Sequence, residues 1–535
     1  MLNQAADESP AGDCSIQHGM PRLRIKSWIY LIPIIILNLS VGTGCRAAEV
    51  NMQHQWMEAT SQKLPRWRGF NLLEKFTAGK ERRPFLESDF QLISELGFNF
   101  VRLPMDYRGW IKNENWEEFD EASLQQIDQA VEWGRQYGIH VCINFHRAPG
   151  YTVAKPPEAR SIWTDPEARR VCAEHWALFA RRYKGIPNTR LSFNLMNEPP
   201  DIEASVYAEV VKGLVDAIHR EDPSRLIIAD GLSWGTRPVF ELKSLGVAEA
   251  TRGYTPMEVS HYKASWISGA DTMPRPTWPR LDASGMLYGP SKKELSTPFE
   301  LNGPFEKATD LRLHVAVVST HANLIVETDG KRAWEKSFTC GPGEGEWKTV
   351  DYKEQWKIYQ NLYDRDYTVS IPAGTRKVRL SVTEGDWMQI SEIGLKPTGS
   401  SAAEDQLQLS LNYGSKPVPV GYAPGAPNGP FVTSTKNGDR EWLWQTMIEP
   451  WKKLEESGVG VMVGEWGAHN QTPHDVVLHW MEDCLTNWQK AGWGWAMWNF
   501  RGSFGVLDSG RSDVQYEDFH GHKLDRKMLE LLQRY

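Results

Sequence analysis

The chain has 535 residues, too many for one simple core, so two folded units and a leader are the starting expectation. Its 60 Lys and Arg against 68 Asp and Glu give a formal charge of -8, which offers no footing for nucleic acid or an anionic membrane surface as partner. The six cysteines, at positions 14, 45, 142, 172, 340 and 484, include no CxxC pair and no metal-ligand spacing, which argues against a zinc site and a disulfide framework.

Residues 1–48 read as a leader. Arg22, Arg24 and Lys26 precede the apolar run Trp28–Leu39. A basic stretch followed by about a dozen apolar residues has the form of a secretory signal. Pro33 interrupts the run, which is too short for a comfortable membrane span. The signal is complete from Met20, the expected start of translation. Gly42, Thr43 and Gly44 before Cys45 hint at a lipoprotein signal, but Gly42 stands where such signals carry Leu, so lipidation is the lesser expectation. The chain is expected to be secreted, periplasmic or at the cell surface.

From residue 60 the pattern alternates. Apolar runs of strand length fall at Trp67–Leu73, Asn99–Met105, His140–His146, Leu191–Glu198, Leu226–Gly231, Met257–Tyr262, Val459–Trp466 and Trp493–Phe500. Amphipathic helical patterns lie between them at Glu87–Leu96, Ala122–Tyr137, Pro166–Tyr183, Ile202–His219 and Glu441–Ser457. Eight βα units predict an α/β fold, the closed parallel (β/α)8 TIM barrel. An open doubly wound sheet would need Gly-rich phosphate loops after its early strands, and none is present.

The spacing breaks once. About 175 residues separate the sixth run from its helix, far beyond a structureless loop. Lys263–Tyr288 is rich in Trp and Pro and reads as an active-site loop. Residues 298–397 alternate with period two, at Leu311–Val318, Asn323–Thr328, Tyr367–Ile371, Lys377–Val382 and Trp387–Leu395. These predict an all-β sandwich-like domain inserted in the sixth βα loop. Residues 398–436 are expected to return the chain to the barrel, whose parts are 60–290 and 437–535. Trp347, Trp356 and Trp387 are candidates for glycan contact by the insert, or simply for packing.

The stretch Leu191–Pro200 organises the reading. An apolar run ends in Asn197 and Glu198, and Pro199 and Pro200 stop any ladder or helix. Val459–Gly467 has the same form and delivers Glu465. Two strand-end glutamates are the minimum equipment for acid/base and nucleophilic work on a glycosidic bond. Further polar or aromatic residues end the other strands: Arg102, His146, His261 with Tyr262, and Trp498 with Asn499. Their coincidence at the C-terminal ends of barrel strands marks a catalytic face. The 24 tryptophans, more than the 17 Tyr or 18 Phe, suit stacking on sugar rings; Trp163, Trp234, Trp266 and Trp278 are candidates on neighbouring loops.

The motifs RGFNL, FNFVRLP, INFHRAPGY, FNLMNEP, VSHY, VGEWG and WAMWNF resemble glycoside hydrolase family 5, the cellulase-type family of retaining barrel enzymes, over roughly 60–290 and 435–535. The resemblance implies Glu198 as general acid/base and Glu465 as nucleophile. It implies Arg102 and Tyr262 as partners of the nucleophile, and Asn197 on the sugar 2-hydroxyl. His146 and His261 would bond around the reacting sugar, and Trp498 would lie beneath it. The implied substrate is a β-linked glucan or related polysaccharide or oligosaccharide, and no cofactor or metal is implied. Rival readings are a non-catalytic glycan-binding barrel, or a β-mannanase or exo-glucanase of the same family. A phosphate-handling barrel would need a basic or Gly-rich loop after the last strands, which this chain lacks.

Overall fold

The computed structural model describes residues 56–535 apart from 80, 81, 271, 272, 274, 282, 427, 428 and 434–437. The expected leader, with Trp28–Leu39 and Cys45, lies outside the described residues. Eight parallel strands close into a ring: β1 Arg68–Asn71, β2 Phe100–Asp106, β3 His140–Ala148, β4 Leu191–Asn194, β5 Ile227–Asp230, β6 Ala248–Gly253, β7 Val461–Trp466 and β8 Trp495–Met497. β8 pairs back onto β1, with Phe70 beside Met497, and Tyr151–Thr152 adds a short antiparallel tag to β3. Inward side chains fill the barrel: Phe100, Cys142, Ile228, Ala248, Ala250, Met462 and Ala496 pack with Trp67. Outward ones meet the helices, so both faces are apolar and the strands read as continuous runs.

The helices are α1 Glu87–Glu95, α2 Glu121–Tyr137, α3 Pro166–Arg182, α4 Ala204–Glu221, α5 Glu449–Glu456, α6 His474–Ala491 and α7 Arg526–Arg534. Their ends follow local chemistry. The Asp165 carboxylate accepts from the Glu167 and Ala168 amides with Pro166 in the first turn, and Gly138 closes α2 at φ 69°. Among the described residues no helix is long and apolar enough to cross a membrane.

One strand differs from the sequence expectation. Met257–Tyr262 is not the sixth strand; Met257–Ser260 is a short helix, and β6 lies nine residues earlier at Ala248–Gly253. The reason is physical. Glu249, Thr251 and Arg252 make β6 read as polar, yet all are buried, each paired or bonded in the folded chain.

The insert is a ten-stranded sheet folded over its own core, and its strands run from Met286–Tyr288 to Phe431–Thr433. It is therefore wider than 298–397. The stretch 398–436, expected as a return linker, contributes strands Asp405–Gln408, Val420–Tyr422 and Phe431–Thr433. The runs Leu311–Val318 and Asn323–Thr328 are one strand, Thr309–Thr328. Its register against Thr375–Pro397 slips between Val315 and Val317. That extra residue moves the buried positions from odd (Leu311, Leu313, Val315) to even (Val318, Leu324, Val326), all within one core. Trp347 and Trp387 pack within the insert, whereas Trp356 stands 58% exposed at a hairpin tip.

Candidate active site

The catalytic face is built from strand ends. β4 proper stops at Asn194, and the chain continues through buried Leu195, Met196 and Asn197 to Glu198. Glu198 adopts φ 50°, a left-handed backbone that non-glycine residues rarely take. Its amide donates to Asp230 Oδ2 (2.9 Å) at the end of β5, and its carbonyl accepts from the Tyr151 hydroxyl. These two bonds fix the direction of the carboxyl group.

Arg102, inward on β2, donates through Nη1 to Glu465 Oε1 (2.6 Å) and Asn71 Oδ1 (3.0 Å), through Nε to Asn194 Oδ1 (2.8 Å), and through Nη2 to Asn197 Oδ1 (2.7 Å). The Asn71 amide in turn donates to the Gly464 and Met497 carbonyls, tying β1 to β7 and β8. Arg252, at the end of β6, donates through Nε to Glu198 Oε1 (3.0 Å) and through Nη2 to Asn197 Oδ1 (2.9 Å) and to Asp230. The same Nη2 lies 3.3 Å from Glu465 Oε1. Glu198 and Glu465 thus meet adjacent nitrogens on one edge of a single guanidinium.

The two carboxyls stand in different surroundings. Glu465 is nearly sealed (side chain 3% exposed), whereas Glu198 opens to the cleft (17%). Burial, then the charge of Glu465, pushes the Glu198 carboxyl up to about 7, against the opposing pull of Arg252. The phenol that meets Glu465 is Tyr254, whose hydroxyl donates to Oε2 at 3.3 Å. Burial and the neighbouring carboxylates hold Tyr254 well above the ordinary phenol range, so it remains a donor. Tyr262, named from sequence for this position, instead lies past the short helix under the Lys263 ammonium, and its carbonyl faces His469. Displacement of the sixth strand accounts for the substitution: the strand end reads Arg252-Gly253-Tyr254, not His261-Tyr262.

Two donors to Asn197 Oδ1 orient its amide, and Nδ2 is left buried without a hydrogen-bond partner. It approaches the ring of His146, whose Nδ1 is likewise unpaired. Burial, then the charges of Arg102 and Arg252, holds His146 well below the usual imidazole range, so it is neutral. His146 packs against Phe76 (4.6 Å between centroids) and Trp498 (5.7 Å), and the half-buried Trp498 ring also meets Phe76 edge-on. On the other side His261, pushed down to about 4 by burial, bonds Ser260 and packs against Tyr254, Phe504 and Trp266.

Sequence-named residues Arg102, His146, Asn197, Glu198, Glu465 and Trp498 come together at one end of the barrel, with His261 beside Tyr254. Of the loop tryptophans, Trp266 and Trp234 are more than half exposed. Trp163 packs on Tyr151, and Trp278 is buried, its indole donating to Asp483. Asp230, Arg252, Tyr254, Phe76 and Phe504 were not singled out from sequence. The signal for two of them was the pairing of small inward residues Ala248 and Ala250 with Arg252-Gly253-Tyr254 just beyond. Among the described residues no cluster of His, Cys, Asp and Glu fits a metal ion.

Residues 57–257 match the family model described as Cellulase (glycosyl hydrolase family 5), a span that includes Arg102, Glu198 and Tyr254 but ends before Glu465. Endoglucanase C of Acetivibrio thermocellus is 28% identical over 190 residues, 34% of this chain and 54% of that protein. Endoglucanase 3 of Fibrobacter succinogenes is 24% identical over 244 residues, 42% of this chain and 36% of that one. The chain thus spans about half the length, or less, of these relatives. A crystal structure of a glycoside hydrolase superposes with a TM-score of 0.56 at 26% identity, covering 88% of this chain and 99% of the other. The sequence match over residues 57–257 and the closed eight-stranded barrel agree in making this chain similar to glycoside hydrolase family 5.

Proposed function

We propose that the protein is a secreted retaining β-glycosidase acting on β-linked glucan or a related polysaccharide, with Glu465 as nucleophile and Glu198 as acid/base. One observation carries this reading: two strand-end carboxyls of unlike environment share one guanidinium edge. That arrangement favours the short separation of a retaining pair, about 5–5.5 Å, over the roughly 6.5–9.5 Å that an inverting pair needs for water. Names of the relatives, endoglucanases among them, support a glucan substrate.

In the first step a Glu465 oxygen bonds to the anomeric carbon. Oε2 is the freer oxygen, because Arg102 and Arg252 both sit on Oε1. The glycosidic C–O bond breaks, and the leaving oxygen keeps the electron pair and takes the Glu198 proton. A carboxyl with a pKa of about 7 still holds that proton near neutrality. The unpaired Asn197 Nδ2 donates to the sugar 2-hydroxyl, a contact that strengthens as the oxocarbenium character grows. Trp498 supplies an apolar face for the ring, with His146 as a neutral donor or acceptor at its edge. Water then enters, gives its proton to Glu198 and displaces Glu465.

Glu465→Gln should abolish nearly all turnover on soluble β-glucan. Glu198→Ala should retain reaction with an aryl glycoside and be rescued by azide, which needs no base. Full activity in either variant would falsify the assignment. Export is tested by N-terminal sequencing of protein from the culture medium; intracellular retention of an unprocessed chain overturns it.

A further inference from the structure

Arg252 is buried to 2% exposure and lies against both glutamates, with its Nε and Nη2 donors committed to protein partners. Nε serves Glu198, and Nη2 serves Asp230, Asn197 and Glu465. Nη1 points back to the Thr251 carbonyl at 3.4 Å. The fold makes room for this side chain at two glycines. A Cβ on Gly464, the residue before Glu465, would fall 2.9 Å from Nη1, and one on Gly235 would fall 2.6 Å from Arg252 Cγ. Asp230, fully buried, anchors the guanidinium from the neighbouring strand.

Resting on the retaining reading above, we propose that Arg252 is a positioning residue that carries the reaction from its first step to its second, handing its charge from Glu465 to Glu198 when Glu465 becomes an ester. In the resting site Arg252 is shared among Asp230, Glu465 and Glu198. Esterification removes the negative charge of Glu465 while Glu198 gives its proton to the leaving oxygen. The guanidinium then faces only the carboxylates of Asp230 and Glu198. It holds the new Glu198 carboxylate at Nε, ionised and aimed at incoming water. Water oxygen bonds to the anomeric carbon, its proton passes to Glu198, and the bond to Glu465 breaks with the pair returning to Glu465, which regains its share of Arg252. The groups that face Glu198 are Arg252 from β6, Asp230 from β5, Glu465 from β7, and the phenols of Tyr151 and Tyr254. Arg252 and Arg102 are the cations of this cluster: among the described residues Arg252 is the cation that bonds Glu198, while Arg102 bonds Glu465.

The second step should therefore lose more than the first when Arg252 is removed or displaced. The test uses a dinitrophenyl β-glycoside, whose departure needs no acid, with burst kinetics and intact mass. In Arg252→Gln the second step should fall about 100-fold and the first under about 10-fold, the range of one positioned acid/base contact. The glycosyl-enzyme should accumulate, azide should restore turnover, and the basic limb of kcat/KM on a natural glucan should move up. Arg252→Lys should recover part of the loss. Gly464→Ala keeps the arginine but pushes Nη1 aside, and should reproduce the same imbalance. If Arg252→Gln does not fold, Gly464→Ala and Arg252→Lys decide the matter. Equal slowing of both steps, or an unmoved limb with no accumulation, overturns the role of Arg252. A wild-type enzyme that a 2-deoxy-2-fluoro glycoside fails to label at Glu465 instead overturns the retaining reading beneath it.

Discussion

Asp230→Asn changes one oxygen into an amide at the end of β5 and keeps the shape. Asp230 accepts from the Glu198 amide and Asn194 Nδ2, both at 2.9 Å, and from Arg252 Nη2, with Arg102 at 3.9 Å. Breaking a buried pair by removing one partner costs roughly 3–5 kcal/mol. Arg252 keeps Glu198 and Glu465, so the lower end, about 3 kcal/mol, applies. For a chain of this size that is a fall of roughly 3 °C in Tm. The effect on catalysis has a definite sign. The Asp230 charge raises the Glu198 carboxyl, and Arg252 lowers it. Removing Asp230 takes away one upward push and leaves Arg252 freer to favour the ionised form. The acid/base must be protonated for the first step, so activity is lost as pH rises through its pKa. The basic limb, expected near pH 7 in the wild-type enzyme, should move down by about one unit, the low end for a charge within a few ångströms. Thermal unfolding and a kcat/KM–pH profile on a natural glucan read both quantities. A limb that moves upward, or a stability unchanged within error, refutes the electrostatic account of this site.

Asn197→Ala removes the donor left unpaired by Arg102 and Arg252. It should cost on the order of 10²–10³-fold in kcat/KM on a normal glucan, and almost nothing on a 2-deoxy substrate that the wild-type enzyme already handles poorly. Trp266→Ala should raise KM with little change in Tm, because the ring is 57% exposed beside His261 and Phe504. Trp278→Ala should lower stability by about 3–5 kcal/mol with kcat spared, because that ring is buried and bonded to Asp483. Denaturant titration and steady-state kinetics on the two variants separate the roles; a matching pattern in both would show that exposure does not sort them. Leu313→Ala, in the insert core, should cost about 2–5 kcal/mol in unfolding free energy by the same titration.

The barrel was legible in the sequence because burial on both faces leaves strands such as Val141–Phe145 and Val461–Val463 as plain apolar runs between capped amphipathic helices. Both glutamates were legible for the same reason: each interrupts such a run abruptly. β6 was hidden because its Glu249, Thr251 and Arg252 are polar along the chain and become tolerable inside only when Val239, Gly235, Asp230 and Glu198 arrive from other segments to meet them. The phenol at Glu465 and the cation spanning both carboxyls therefore came from tertiary structure alone. Likewise the insert's alternation was visible in Leu311–Val315 and Leu324–Val326, but their fusion into one strand depends on a slip at Val315–Val317 that only the opposing strand defines. Local periodicity records which face a residue buries; which charges meet there is set by chain segments far apart in sequence.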